Sequence, residues 1–213
     1  MNLRLVAALL AIAALGWWYS PLSPRVPSVA AQVAGETPRC PLPPQVLPGD
    51  PPLQSDVPGD LAPFRLKAAT LVPLAGFSVD ARVLSREDYH LGRESDLSPT
   101  DLALGWGRMR EDGVLARLAI SQSGRWYQYR WRDAPPLPPD EIVRSSANMH
   151  MIPANANVAK ALHRVRKDQR VRIDGWLVEA DAPDGWRWRS SLTREDSGGG
   201  ACEVVYVCAV TSR

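Results

Sequence analysis

The sequence predicts an α+β, β-rich fold, either a small partly open barrel or a bent antiparallel sheet, with one or two helices. Three observations carry that prediction. Apolar and polar residues alternate with period two across 77–83, 125–131 and 171–178, the signature of half-buried strands. A full helical period is confined to one stretch, where Val158, Ala161, Leu162 and Val165 recur at i, i+3, i+4 and i+7. Turn signals then cut the chain into short pieces, as at Pro183-Asp184-Gly185 and the glycines at 198–200. Many short strands with few helices build such sheets and barrels.

The composition bounds what that fold can be. The chain has 213 residues, 45% hydrophobic and 23% charged, which excludes a wholly disordered, collagen-like or polytopic membrane protein. Its 25 basic and 23 acidic residues leave a net charge of +2, so no overall excess points to nucleic acid, and no nucleic-acid partner is expected.

The amino terminus and Arg4 precede an uncharged run over residues 5–19 that is rich in Leu and Ala, an export signal. Fifteen helical residues reach about 22 Å, short of the roughly 30 Å hydrocarbon core, which favours a cleaved signal. Trp17, Trp18 and Tyr19 close the run as interfacial aromatics do, which favours a retained anchor. Residues 1–22 therefore read as a single-pass inner-membrane anchor, with the rest in the periplasm, or as a signal whose removal leaves a soluble periplasmic protein. Residues 23–63 hold most of the 12 prolines found between Pro21 and Pro63, and proline removes backbone donors and fixes φ. They are expected to form an extended linker holding a folded domain, 64–213, off the membrane.

Within that domain, Phe77, Val79, Ala81 and Val83 form one side of a strand. Ser98-Pro99-Thr100-Asp101 has the cap, proline and acid of a helix start. Residues 114–121 fit either helix or strand. In 125–131, Tyr127, Tyr129 and Trp131 share one face, and the prolines at 135–139 mark a loop. Asn157 is the expected cap of the amphipathic helix, which should run to Asp168 and Gln169. Residues 171–192 read as a hairpin, and 202–210 as a last strand. A helix followed by V-x-I-x-G-x-L at 171–177 and a hairpin resembles oligonucleotide/oligosaccharide-binding (OB) folds by fold-level analogy.

The strings D-L-A-L-G-W-G at 101–107, I-S-Q-S-G-R-W-Y at 120–127, S-A-N-M-H-M-I-P-A-N at 146–155 and W-R-W-R-S-S-L-T-R at 186–194 resemble a group of bacterial exported proteins with a short N-terminal apolar segment. That resemblance covers most of 64–210 and implies a bacterial cell-envelope setting. The group has no assigned activity, so it assigns no residue a role.

Three cysteines in an exported chain invite a disulfide. Cys202 and Cys208 lie six residues apart on one predicted strand, some 20 Å, too far to bond each other. Cys40 reaches either one, and Cys40–Cys202 is favoured because Cys202 borders the glycine loop. Met149-His150-Met151 has soft-metal residue types, yet a strand points both methionines away from His150, so no metal site or cofactor is expected. His150, Ser190 and Ser191 are the candidate hydrolase residues, but no nucleophile motif surrounds them. The strongest local signal is charge: Lys160, Arg164, Arg166, Lys167, Arg170 and Arg172 against Asp168 make a +5 run, and Arg187 and Arg189 alternate with Trp186 and Trp188. Arginine beside exposed tryptophan binds anions and sugars. The expected function is a membrane-tethered periplasmic module binding an envelope protein or an anionic glycan or lipid through these eight cations. A periplasmic hydrolase and a structural assembly subunit are the alternatives.

Overall fold

The structure is a computed structural model, and it describes residues 3–18, 29–30, 32–33, 38–193 and 200–212. The elements in order are α1 (Leu3–Trp18), β1 (Leu53–Ser55), β2 (Phe64–Arg65), β3 (Thr70–Asp88), β4 (Thr100–Gly105), α2 (Asp112–Leu115), β5 (Ala119–Ser123), β6 (Trp126–Arg130), α3 (Pro139–Arg144), β7 (Ser146–Pro153), α4 (Ala156–Arg164), β8 (Arg170–Asp181), β9 (Arg187–Arg189) and β10 (Glu203–Ser212). Among the described residues no helix is long and apolar enough to cross a membrane, and the 16 residues of α1 reach about 24 Å.

Five strands form a partly closed ring. β3 pairs antiparallel with β4, β4 with β7, β7 parallel with β10, β10 antiparallel with β8, and β8 returns to β3. The ring is α+β and strand-rich, as the alternation implies, and α4 bridges its third and fourth strands in chain order. That connectivity is OB-like. Alternation does the work: Phe77, Val79, Leu102, Leu104, Met149, Met151, Ile173 and Val205 point inward to one apolar core. Register shifts at Pro73/Ala75, Val83/Ser85 and Val207/Ala209 bend β3 and β10 around it. Gly175 is required in β8, because a Cβ there would lie 2.2 Å from the Tyr206 carbonyl oxygen.

Four expectations are corrected. Residues 98–101 do not open a helix: Thr100–Gly105 is β4, whose alternation buries Leu102 and Leu104 and turns Asp101 outward. The cap of α4 is Asn155, whose side chain accepts from the amides of Asn157 and Val158, and the helix stops at Arg164, leaving Arg166 and Lys167 in the turn to β8. Cys40 bonds Cys208, with Cα atoms 5.3 Å apart, and Cys202 takes no part. Pro41 fixes that choice by accepting the Trp176 indole N–H at 2.8 Å, which lays the segment across the outer side of β8 beside β10. From residue 38, finally, the proline-rich stretch is a strap on the domain rather than a free spacer. Val46 is buried and donates to Ser78 Oγ at 2.9 Å, Ser78 donates to the buried Asp174 at 2.6 Å, and β1 adds a short edge strand to β3. Gly76 makes room for the strap, since a Cβ there would meet Ser55 Oγ at 2.2 Å and Pro43 Cβ at 2.9 Å. Residues 114–121 divide between α2 and β5.

A second apolar layer lies outside the ring, between the strap and strands β8 and β10. In it Tyr206 packs in a tilted arrangement against Phe64 with ring centroids 4.7 Å apart, and its buried hydroxyl has no hydrogen-bond partner among the described residues. Burial pushes that phenol up to about 12 from 10.0. Because this hydroxyl ionises less readily in the folded chain than in the unfolded one, stability holds its full value below pH 10 and falls as pH rises toward 12. Burial raises Tyr127 and Tyr129 as well. Unfolding by urea at stepped pH is expected to show stability falling over this interval, with Tyr206 supplying up to about 2.7 kcal/mol. Tyr206→Phe flattens that fall and leaves stability at pH 7 unchanged or higher by about 1 kcal/mol, because it removes an unpaired buried hydroxyl. A Tyr206→Phe protein that is less stable at pH 7 contradicts this.

Candidate functional site

The outer face of β4 and β7 carries a buried polar row. Alternation that turns Leu102, Met149 and Met151 inward turns Asp101, Asn148 and His150 outward, and β4 and β7 pair Asp101 directly with His150. The β5–β6 hairpin folds back over this row. Its tip is the two-residue turn Gly124-Arg125, in which both residues have positive φ, 56° and 71°. Positive φ is unfavourable for arginine, and here it is over-determined by contacts. The Arg125 amide donates to the Tyr89 hydroxyl at 2.8 Å, its Nη1 donates to Asp101 Oδ1 at 2.7 Å, and its guanidinium lies 3.9 Å over the Tyr89 ring. Burial lifts the Tyr89 phenol above its ordinary value. Asn148 donates to the Arg125 carbonyl at 3.0 Å and accepts from Gln122 at 2.6 Å, which fixes the tip from both strands of the hairpin.

The connection from β8 to β10 supplies the other wall. Trp188 on β9 packs in a tilted arrangement against His150 with ring centroids 4.6 Å apart, and Trp186 stands 6.0 Å from Trp188 with Arg93 over it. Between the walls is a cleft of about 190 Å³, lined by Glu94 of the β3–β4 connection, Arg125 and Trp126 of the hairpin, and His150 of β7. Trp188, Arg189, Gly200 and Cys202 complete it. His150 is 3% exposed, and its Nδ1 is 3.0 Å from Asp101 Oδ2 but off the line of a hydrogen bond. A groove of about 490 Å³ at the base of the hairpin, by Arg117 and Trp131, is larger, but the buried polar row does not reach it.

The cations predicted from sequence do not form one surface. Arg187 and Arg189 sit opposite Asp181 and Glu179 at one end of β8, while Arg170 and Arg172 open its other end, about 23 Å away at 3.3 Å per residue. Arg189 pairs with Glu179, Arg187 with Asp181 at 3.5 Å and Arg172 with Asp174 at 3.3 Å. Arg166 hydrogen-bonds the carbonyls of His163 and Val165. Lys160, Arg164, Lys167 and Arg170 are exposed with no ion pair among the described residues. Ser190 Oγ donates to the Ser191 carbonyl and accepts from the Val204 amide, and Ser191 Oγ donates to the Thr193 carbonyl, so both hydroxyls hold the β9–β10 connection. Met149 and Met151 face the core, opposite His150.

Sequence reasoning singled out His150, Trp188 and Arg189 of the cleft and missed Glu94, Arg125, Trp126 and Cys202 in its lining and Asp101 behind it. One signal for the hairpin was present: I-S-Q-S and W-Y-Q-Y alternate on either side of Gly124-Arg125, a turn spacing. Placing Asp101 against Arg125 and His150 needs the folded ring.

The fold and cleft define an OB-like ring carrying an aromatic-lined cleft. Comparison of the chain with protein families, curated proteins and solved structures finds no match.

Proposed function

We propose that the protein is an envelope binding module, tethered by its apolar N-terminal segment, that takes a saccharide unit in the cleft between Trp126, Trp188 and Arg189. The supporting observation is position. OB folds bind oligonucleotides and oligosaccharides on the face of their second and third strands, between the loops joining strands one to two and four to five. β4 and β7 are those strands here, and Glu94 and Trp188 lie in those two connections. Trp126 is 45% exposed, which leaves its indole open for stacking a sugar ring, and the arginines and Glu94 offer donors and an acceptor around it.

The test uses the full-length chain with neutral N-acetylated oligosaccharides, uronic-acid oligosaccharides and phosphatidylglycerol vesicles. Retention on one of the two saccharides is expected. Trp126→Ala should weaken it about 5- to 10-fold, as loss of one stacked ring does, while Arg164→Glu with Lys167→Glu leaves it unchanged. Equal retention by Trp126→Ala and the parent chain overturns the reading. Vesicle binding that only the Arg164→Glu/Lys167→Glu protein loses moves the function to the α4 end of β8.

A further inference from the structure

The end of β8 away from the cleft carries a second recess, and we propose that it binds a phosphoryl group, with Arg110, Arg170 and Arg172 holding the phosphate of a small soluble ester or of a lipid headgroup. The site goes beyond saccharide binding and does not depend on it. The recess encloses about 310 Å³, and its lining sets three arginines against one carboxylate, Asp80. That is room for a phosphate with a short organic group attached.

Alternation on β8 builds the first wall. Val171 and Ile173 turn into the core, so Arg170 and Arg172 stand on the outer side, about 7 Å apart along the strand. In the pairing of β3 with β8, Asp80 is the register partner of Arg172, and Arg82 that of Arg170. Arg110 comes in from the connection between β4 and α2 and donates to Asp80 at 2.9 Å, which brings its guanidinium to the β3 side of Arg172. The strap closes the remaining side. Its turn over 47–50 is held by the Asp50 amide on the Leu47 carbonyl at 3.1 Å and lays Gly49 against Arg110, whose Nη2 would be 3.7 Å from a Cβ at that position.

Charge selects the ligand. Asp80 is occupied by Arg110, and the buried Asp174 accepts from Ser78 at 2.6 Å and from Gln45 at 3.2 Å. Arg172 Nε faces Asp174 at 3.3 Å, off the line of a hydrogen bond, and among the described residues no hydrogen bond leaves its guanidinium. Arg82 is held by Asp112 and Asp168 and adds no net charge. Three arginines against Asp80 and Asp174 therefore leave one positive charge in excess, that of Arg170, which is exposed and has no ion pair among the described residues. The side chains of Arg110 and Arg172 are only 20% and 26% exposed, so packing and the carboxylates beside them fix both before any ligand arrives. Guanidinium forks match phosphate oxygens in pairs. A phosphate ester offers more oxygens and more charge than a carboxylate, so it is the group that three such forks suit.

The experiment titrates the full-length chain, in about 0.15 M salt to remove loose surface attraction, with inorganic phosphate and with glycerol 3-phosphate, followed by calorimetry. A parallel arm compares retention on phosphatidylglycerol and phosphatidylcholine vesicles. Saturable binding of a soluble phosphate, or preference for phosphatidylglycerol, is expected, weakened about 10-fold by Arg170→Ala. Arg170 holds no other side chain, so that variant tests the site and spares the fold. Binding of the soluble phosphates alone assigns a soluble ester as ligand, and preference for phosphatidylglycerol alone assigns the headgroup. Absence of binding in both arms, or binding that Arg170→Ala leaves unchanged, overturns the proposal. Trp126→Ala should leave phosphate binding intact, which keeps this outcome separate from that of the saccharide reading.

Discussion

Replacing Cys208 with serine is expected to lower the unfolding free energy by about 2–5 kcal/mol. The bond joins residues 168 apart. Closing so long a loop in the unfolded chain is worth about 5 kcal/mol by chain entropy, and measured effects usually fall below that figure. The strap keeps other attachments, among them the Trp176 indole on the Pro41 carbonyl and the Val46 amide on Ser78, so the ring should still form. Urea titrations of the Cys208→Ser protein, and of the parent with and without reductant, measure the effect. Cys40→Ser should match Cys208→Ser, because each removes the same cross-link. Coincident curves for oxidised and reduced parent would show that the bond contributes nothing to stability.

Asp101→Ala is expected to cost about 3–5 kcal/mol. Its carboxylate is fully buried, holds Arg125 at 2.7 Å and faces His150 at 3.0 Å, so deletion strands a guanidinium that is only 17% exposed. The loss is asymmetric. Removing one partner leaves an uncompensated charge, whereas removing both together costs less. Asp101→Ala with Arg125→Ala should therefore be more stable than the sum of the single losses implies, with a coupling of at least about 1 kcal/mol. Asp101→Ala alone should also loosen the hairpin tip, read as faster amide exchange at Arg125 and Trp126, because the side-chain anchor of Arg125 is gone while its contacts to Tyr89 and Asn148 remain. Strict additivity in the cycle would show that the pair does not act as a unit.

Much of the ring was legible because its cause is local. Side chains on a strand alternate, so F-x-V-x-A-x-V at 77–83 and V-x-I at 171–173 announce their buried faces whatever they pair with. The same rule separated Met149 and Met151 from His150. Where two local signals conflicted, the fold chose between them. Ser98-Pro99-Thr100-Asp101 has the form of a helix start, while Asp101-Leu102-Ala103-Leu104 alternates, and the chance to fill the core with Leu102 and Leu104 between β3 and β7 outweighs a cap. The cap of α4 moved by two residues because Asn155 and Asn157 are equivalent in sequence, and only Asn155 ends the extended path out of β7.

The sequence by itself determined a β-rich α+β fold, an apolar N-terminal segment, a proline-rich stretch after it and the inward or outward side of residues in 77–83, 149–151 and 171–173, all set by spacing along the chain. Tertiary structure alone decided that Cys40 bonds Cys208, that the proline-rich strap lies on the ring, that the basic residues fall at opposite ends of β8, and that Asp101, Arg125 and His150 meet. These depend on which strands become neighbours. Pairing across more than a hundred residues is fixed by the closure of the whole core and by no local pattern.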